Sequence, residues 1–234
     1  TEGLSDHRVL SIQKDNRGFM WFLTYRGIDR YDGNHFKHYS LQSEEGYISL
    51  FSEKTILKTD SKGNVWAISE QGQLFVYNPQ TDLFVHKQLP PEITTKKIER
   101  IEMTDFDEIW YCYPEHCYTY NLNTTQIQQI QTDHKHKHIT SIFQYDKNIY
   151  YIGSEDGICR VIIHDGKMVA TECIIPSKIC ELAQRIYVHP HSNRLMAYSD
   201  KNGMIVYDIT LRKLEKQHIW FKDFPITGFN PFEE

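Results

Sequence analysis

Three histidines at alternate positions, in His134-Lys135-His136-Lys137-His138, are the residues best spaced for metal chemistry. Alternate residues of an extended strand share a face, so two of these imidazoles have the spacing to hold one ion. The outer pair would stand about 13–14 Å apart on a straight strand. Zinc needs each nitrogen at about 2.0–2.1 Å, so one ion does not reach all three. A metal centre here requires carboxylates from elsewhere, and the sequence names none. The default for the segment is a solvated loop between strands, and no metal or cofactor is assigned.

Two further chemistries have the right residue types. Glu155 or Asp156, set opposite His136 and Arg26, would supply the paired carboxylates of a glycosidase, or the base and neutralising cation of a lyase. Nothing in the spacing brings these residues together, and no nucleophile motif, phosphate loop or H-E-x-x-H site accompanies them. Recognition asks for less. Arginine grips a carboxylate through two parallel hydrogen bonds, and tyrosine offers a rigid flat surface with a polar tip. A set comprising His7, Arg8, Tyr25, Arg26, Tyr47, His116, His136, His138, Glu155, Asp156 and Lys201 therefore suits a sugar or uronic acid better than an apolar ligand.

The elements that must position these residues are set by a repeat. D-N-R-G-F-M-W-F-L-T-Y-R-G-I-D-R-Y-D at 15–32 returns as D-S-K-G-N-V-W-A-I-S-E-Q-G-Q-L-F-V-Y-N at 60–78. Trp21, Trp66, Trp110, Tyr151 and Met196 occupy one place in successive units, at steps of 45, 44, 41 and 45 residues. A Tyr-Asp or Tyr-Asn marker follows at Tyr31, Tyr77, Tyr120 and Tyr207, and unit four replaces it with Ile163-His164. Within a unit, short runs rich in Val, Ile, Tyr, Phe and Trp alternate with Asp, Asn and Gly turns, and no run has sustained helical spacing. In unit one this predicts strands over Val9-Lys14, Phe19-Thr24, Ile28-Tyr31 and His35-Tyr39. Four antiparallel strands in this length make one blade of a β-propeller.

The expected architecture is thus all-β: a single partial propeller over 1–234, with blades near 1–46, 47–93, 94–133, 134–176 and 177–224 and the start of another at 225–234. Pro225-Ile226-Thr227-Gly228-Phe229 reads as the first strand of that sixth blade. A complete five-bladed ring is the rival reading. Asp15 and Asp60 read as turn formers, each three residues before a glycine suited to positive φ. The tryptophans read as filling between blades. In a propeller the d-to-a and b-to-c connections emerge at one end. That rule places Asp6-His7-Arg8, Tyr25-Arg26, Glu45, Tyr47, Glu70-Gln71, Glu115-His116, the 134–138 histidines, Glu155-Asp156, Lys178, Glu181 and Asp200-Lys201-Asn202 on a common face.

The pattern G-L-S-x-x-x-V-x-x-I-x-x-D-x-x-G-x-x-W-x-x-T-x-x-G-I-x-R-Y-D, carried by Gly3-Leu4-Ser5, Val9, Ile12, Asp15, Gly18, Trp21, Thr24, Gly27-Ile28, Arg30 and Tyr31-Asp32, resembles the two-component regulator propeller repeat. That repeat characterises the periplasmic sensor region of hybrid two-component systems from gut Bacteroidetes. Unit one matches almost throughout and unit two well; the later units keep the period, and Thr24 becomes Ser69, Tyr113, Ser154 and Ser199. The resemblance implies a fragment of a seven-bladed ring, in a periplasmic part of two propellers and a β-sandwich. It implies a downstream membrane helix, histidine kinase, receiver and DNA-binding module, and a homodimer in the full-length sensor. The implied ligand is an oligosaccharide, held where two propellers meet, that regulates polysaccharide use. On that reading this domain is not itself an enzyme, binds no nucleic acid, and meets the membrane only through segments beyond it. A polysaccharide-active lyase or hydrolase and a passive protein-interaction propeller are the alternatives.

Composition fits. Hydrophobic residues make up 40% of the chain, enough for a sizeable core, and 24% are charged. A net charge of -5 without a Lys/Arg run argues against a nucleic-acid surface. No stretch of about 18 apolar residues is present to span a bilayer. The five cysteines, Cys112, Cys117, Cys159, Cys173 and Cys180, form no zinc or redox motif, and an odd count leaves at least one unpaired. Cys112 and Cys117 flank the b-to-c connection of unit three, which leaves a hairpin disulfide geometrically open in an oxidising periplasm. Buried thiols are the default.

Overall fold

The computed structural model describes residues 3–43, 46–48, 51–94, 97–114, 116–131 and 138–219. It is all-β, of the propeller kind, with five four-stranded sheets each taking its strands in chain order. Blade one comprises Val9–Lys14, Met20–Thr24, Ile28–Tyr31 and Phe36–Tyr39, within a residue of the sequence expectation at every strand end. Blade two comprises Ile56–Thr59, Val65–Ile68, Leu74–Asn78 and Leu83–Lys87. Blade three comprises Arg100–Met103, Glu108–Cys112, Cys117–Asn121 and Ile127–Ile130. Blade four comprises Ser141–Asp146, Ile149–Ser154, Gly157–His164 and Lys167–Pro176, and blade five Arg185–Val188, Arg194–Ser199, Gly203–Asp208 and Lys213–His218. The strand expected at Pro225–Phe229 lies outside the described residues.

Two features depart from the period. A hairpin of Leu41–Ser43 and Gly46–Ile48 occupies the connection after blade one, and a single helical turn, Pro91–Thr94, follows blade two. No helix among the described residues is long and apolar enough to cross a membrane. The chain divides into two compact units between Asp107 and Glu108.

In the first unit the repeated motif explains itself. Asp15 is buried in the turn after the first strand and accepts the amides of Arg17 and Phe19, each at 3.0 Å, and the Trp21 indole N–H at 3.0 Å. Asp60 repeats this with Lys62, Asn64 and Trp66, at 3.0, 2.8 and 2.8 Å. Gly18 and Gly63 close these turns at φ of 90° and 79°, where a side chain would be strained. Trp21 is thereby fixed in a fully buried position between two blades, 4.7 Å from the Tyr77 ring and 5.8 Å from Phe84. It centres a core of Leu23, Ile28, Tyr39, Leu57, Phe75 and their neighbours. The motif arginine, Arg30, spans from blade one to donate to Tyr77 Oη at 2.6 Å and Asp82 Oδ1 at 3.3 Å. Tyr39 and Lys37 donate to the same Asp82 carboxylate.

The second unit holds two apolar clusters. Cys112, Cys117, Ile142, Ile152, Cys159 and Val161 pack around Trp110, which meets the Tyr150 ring at 5.1 Å. Ile175, Cys180, Ala183, Leu195, Ala197 and Ile205 form the other. The position where each second strand ends shapes the b-to-c connection. Thr24, Ser69, Ser154 and Ser199 are all buried, and each hydroxyl accepts an amide two to four residues on, from Arg26, Gln73, Asp156 and Asn202. This is why the position stays hydroxylic through most of the repeat: a short side chain satisfies the turn backbone from within.

Candidate functional site

The first unit brings four of the expected residues to one surface. Asp6, its side chain only 7% exposed, accepts the Arg8 amide at 2.9 Å. Its carboxylate faces His7 Nδ1 at 3.4 Å, Arg8 Nε at 3.7 Å and Arg26 Nε at 3.5 Å. The Arg8 amide bond, together with the His7, Arg8 and Arg26 charges, outweighs burial and holds the Asp6 carboxyl below its usual range. One carboxylate therefore organises three outward side chains, the imidazole of His7 and the guanidinium groups of Arg8 and Arg26, exposed by 89%, 59% and 72%. The Arg8 guanidinium lies 3.9 Å from the Tyr25 ring centroid, a cation–π contact that fixes the plane of both groups.

Connections of blade two extend this surface. The Phe51 amide donates to the Tyr25 carbonyl at 3.0 Å, and Tyr25 Oη reaches Glu53 at 3.5 Å. Glu70 is held by Ser52 at 3.0 Å and Lys54 at 3.1 Å, and these two bonds keep its carboxyl below the ordinary value. The contacts join a segment before the first strand, two b-to-c connections and a d-to-a connection, which is the grouping that propeller topology requires. Tyr47 stands on the extra hairpin opposite Gln42 and is 69% exposed. Among the described residues no hydrogen bond, ion pair or ring contact ties it to the Asp6 group.

The second unit holds its candidates in separate small groups. His116 stacks on Tyr113 at 5.1 Å and meets the Tyr118 ring edge-on at 5.2 Å. His138, in a left-handed conformation at φ of 57°, places Nε2 3.9 Å from Glu155. Asp156 shares the two-residue turn between Ser154 and Gly157 with Glu155, and its carbonyl accepts the Ser177 amide at 3.1 Å. Lys201 pairs with Glu181. His134 and His136, with Glu45 and Glu115, lie outside the described residues. Among those described, no cluster of three His, Cys, Asp or Glu side chains is arranged to hold a metal ion.

Sequence reasoning put Asp6 on this face without giving it a role, and it did not bring in Glu53, Lys54 or Tyr113. The signal for Asp6 is local, an Asp two residues before an amide it caps. Glu53 and Lys54 are positioned by Phe51 docking on Tyr25, which no periodicity reveals.

Residues 3–26 match the family model described as the two component regulator propeller. The fold is similar to the extracellular domain of BT3049, described as a hybrid two component system of B. thetaiotaomicron. That likeness has a TM-score of 0.66 and 18% identity over 91% of this chain and 30% of that one. The corresponding domain of BT4673 from the same organism gives 0.63 and 18%, over 92% and 28%. A catalytically inactive virginiamycin B lyase from Staphylococcus aureus gives 0.65 and 12%, over 94% and 73%. The chain thus spans less than a third of the length of these two extracellular domains. No curated protein matches the sequence. At these identities the likenesses establish the propeller fold.

Proposed function

We propose that the chain is part of the extracytoplasmic ligand-sensing region of a hybrid two-component sensor histidine kinase, responding to an oligosaccharide and so regulating polysaccharide use. The observation that carries this reading is the group of exposed His7, Arg8 and Arg26 and half-buried Tyr25 built around Asp6. It presents fixed cationic donors beside an aromatic plane, the combination that recognises a hydroxyl-rich or carboxylate-bearing sugar. The propeller repeat over residues 3–26 and the likeness to extracellular domains of hybrid two component systems support the same reading. A ligand signals by favouring one of two arrangements of the receptor, in proportion to its difference in affinity for them. A ligand shared with a second propeller and a homodimer of the full-length sensor belong to this proposal, as does a periplasmic location.

The test is a thermal-shift screen of plant, host-mucin and uronic-acid oligosaccharides, with chromatography of the sugars afterwards. The expected result is a concentration-dependent rise in Tm for one class, lost in Arg26→Ala, with the sugar intact. Absence of any shift would favour a protein-interaction platform, and release of smaller products would favour an enzyme.

A further inference from the structure

The five cysteines are thiols in this structure, yet four of them stand opposite one another across strand pairs. Cys112 is the register partner of Cys117 in the central hairpin of blade three. The next pair toward the turn, Tyr113 and His116, is joined by an amide-to-carbonyl bond at 2.9 Å. Pairs alternate along an antiparallel ladder, so Cys112 and Cys117 occupy a non-hydrogen-bonded site. There the Cα atoms approach to about 4.5 Å and the side chains lie closest. A disulfide accepts Cα separations of roughly 4.4–6.8 Å.

In blade four Cys159 is the register partner of Cys173. Directly opposed residues share a face of the sheet. The next pair on that face is Val161 and Thr171, and Val161 packs into the same apolar cluster as Cys159; a bulge between Ile158 and Cys159 adjoins the pair, and the register sets exposed Cys173 directly across from buried Cys159. Cys180 belongs to the other cluster and is fully buried there. Burial also pushes its thiol up to about 11.

We infer that under oxidising conditions this chain forms two cross-strand disulfides, Cys112–Cys117 and Cys159–Cys173, and retains Cys180 as a thiol. Each bridge forms by exchange with a disulfide-bearing oxidant. One protein thiolate attacks the oxidant, giving a mixed disulfide and one released thiolate; the opposed cysteine then attacks the protein sulfur and expels the second. Two electrons and two protons leave the protein per bridge and reduce the oxidant to two thiols. Cys173 is exposed and takes the first attack in blade four, with Cys159 resolving it. Cys112 and Cys117 are buried, so their bridge closes before the sheet packs, during folding. That bridge sits directly behind the Tyr113 and His116 pair and fixes the hairpin carrying His116. The inference follows from strand register and is independent of the ligand proposed above.

The test is refolding of reduced, denatured protein in a glutathione redox buffer, followed by acid quenching, alkylation under denaturing conditions, digestion and mass spectrometry. The expected dominant product has an unalkylated 112–117 peptide lighter by two hydrogens, a linked pair of peptides containing Cys159 and Cys173, and alkylation at Cys180 alone. Cys173→Ser should restore alkylation of Cys159 and leave the 112–117 peptide unchanged. Linkage through Cys180, linkage between the two pairs, or alkylation at all five positions would overturn the inference. The wild-type peptide map decides even where a variant folds poorly.

Discussion

The Trp21 indole N–H donates to the Asp15 carboxylate at 3.0 Å, joining a core residue of blade one to the turn six residues earlier. The same six-residue relationship joins Trp66 to Asp60 at 2.8 Å. The carboxylate thus serves turn and core together. In Asp15→Ala the buried indole and the Arg17 and Phe19 amides lose their acceptor, at a cost of about 2–4 kcal/mol. Asp60, in a more exposed turn, should cost about 1–2 kcal/mol on the same change. Denaturant titration of both variants checks the order. Burial acts to raise the Asp15 carboxyl, but the bonds from Trp21, Arg17 and the amides prevail and hold it below its usual value. Its stabilising contribution is therefore complete above the ordinary aspartate range, near pH 4, and is lost as pH falls through the lowered value. In Asp15→Ala that part of the acid sensitivity should disappear.

Arg30 reaches from blade one to Tyr77 and Asp82 of blade two while lying 4.6 Å from the Phe19 ring centroid. The Lys37, Tyr77 and Tyr39 hydrogen bonds and the Arg30 charge overcome burial and keep Asp82 far below the usual carboxylate range. Removing Arg30 leaves a carboxylate and two tyrosines with one donor fewer and strips a planar cation from an aromatic nest. Arg30→Ala should destabilise by about 1–3 kcal/mol, and Arg30→Lys should recover only part, because an ammonium does not stack or fork. A double-mutant cycle with Tyr77→Phe should show about 0.5–2 kcal/mol of coupling. Additive losses would mean the two residues act separately.

How far this was legible in the chain depended on whether the controlling contacts were local. Asp15, Gly18 and Trp21 lie within one turn and two strands, so their spacing revealed a blade and placed its strand ends to within a residue. Thr24 and its serine counterparts were likewise visible as a repeated position. The hairpin at Leu41–Ser43 and Gly46–Ile48 was not, because it departs from the period that guided the reading. For the candidate site, topology placed Asp6, His7, Arg8, Tyr25 and Arg26 on one face. It did not show that Asp6 is the hub, since that depends on packing between segments about 20 residues apart.

Glu108 behaves oppositely to Asp15. Burial raises its carboxyl above the ordinary glutamate value, with the Tyr150 hydroxyl, donating at 2.9 Å, and the Trp110 indole only partly offsetting this. The folded protein therefore holds this proton more tightly than the unfolded chain does. The contribution is complete below the unfolded glutamate pKa, near 4.3, and is lost as pH rises through the raised folded value. Glu108→Gln keeps an acceptor for Tyr150 without a charge, so it should raise Tm at pH 7 and change it little at pH 4. Paired melts at the two pH values measure this. An equal effect at both would show that ionisation of Glu108 is not the cause.

The proposed ligand surface makes the sharpest demand on function without stability. The Arg26 side chain is largely exposed and pairs with the Asp6 carboxylate, so Arg26→Ala should change folding stability by no more than about 0.5 kcal/mol. Its effect on a bound sugar should be larger, about 2–3 kcal/mol if a charge-assisted hydrogen bond is lost, or roughly 30- to 150-fold in Kd. Tyr25→Phe removes the hydroxyl that reaches Glu53 but preserves the plane beneath Arg8, and should bind nearly as wild type. Tyr25→Ala removes the plane itself and should bind as weakly as Arg26→Ala. Calorimetry with the sugar identified by the thermal-shift screen gives the ranking directly. Wild-type affinity in both Arg26→Ala and Tyr25→Ala, with the fold intact, would place the ligand elsewhere on the protein.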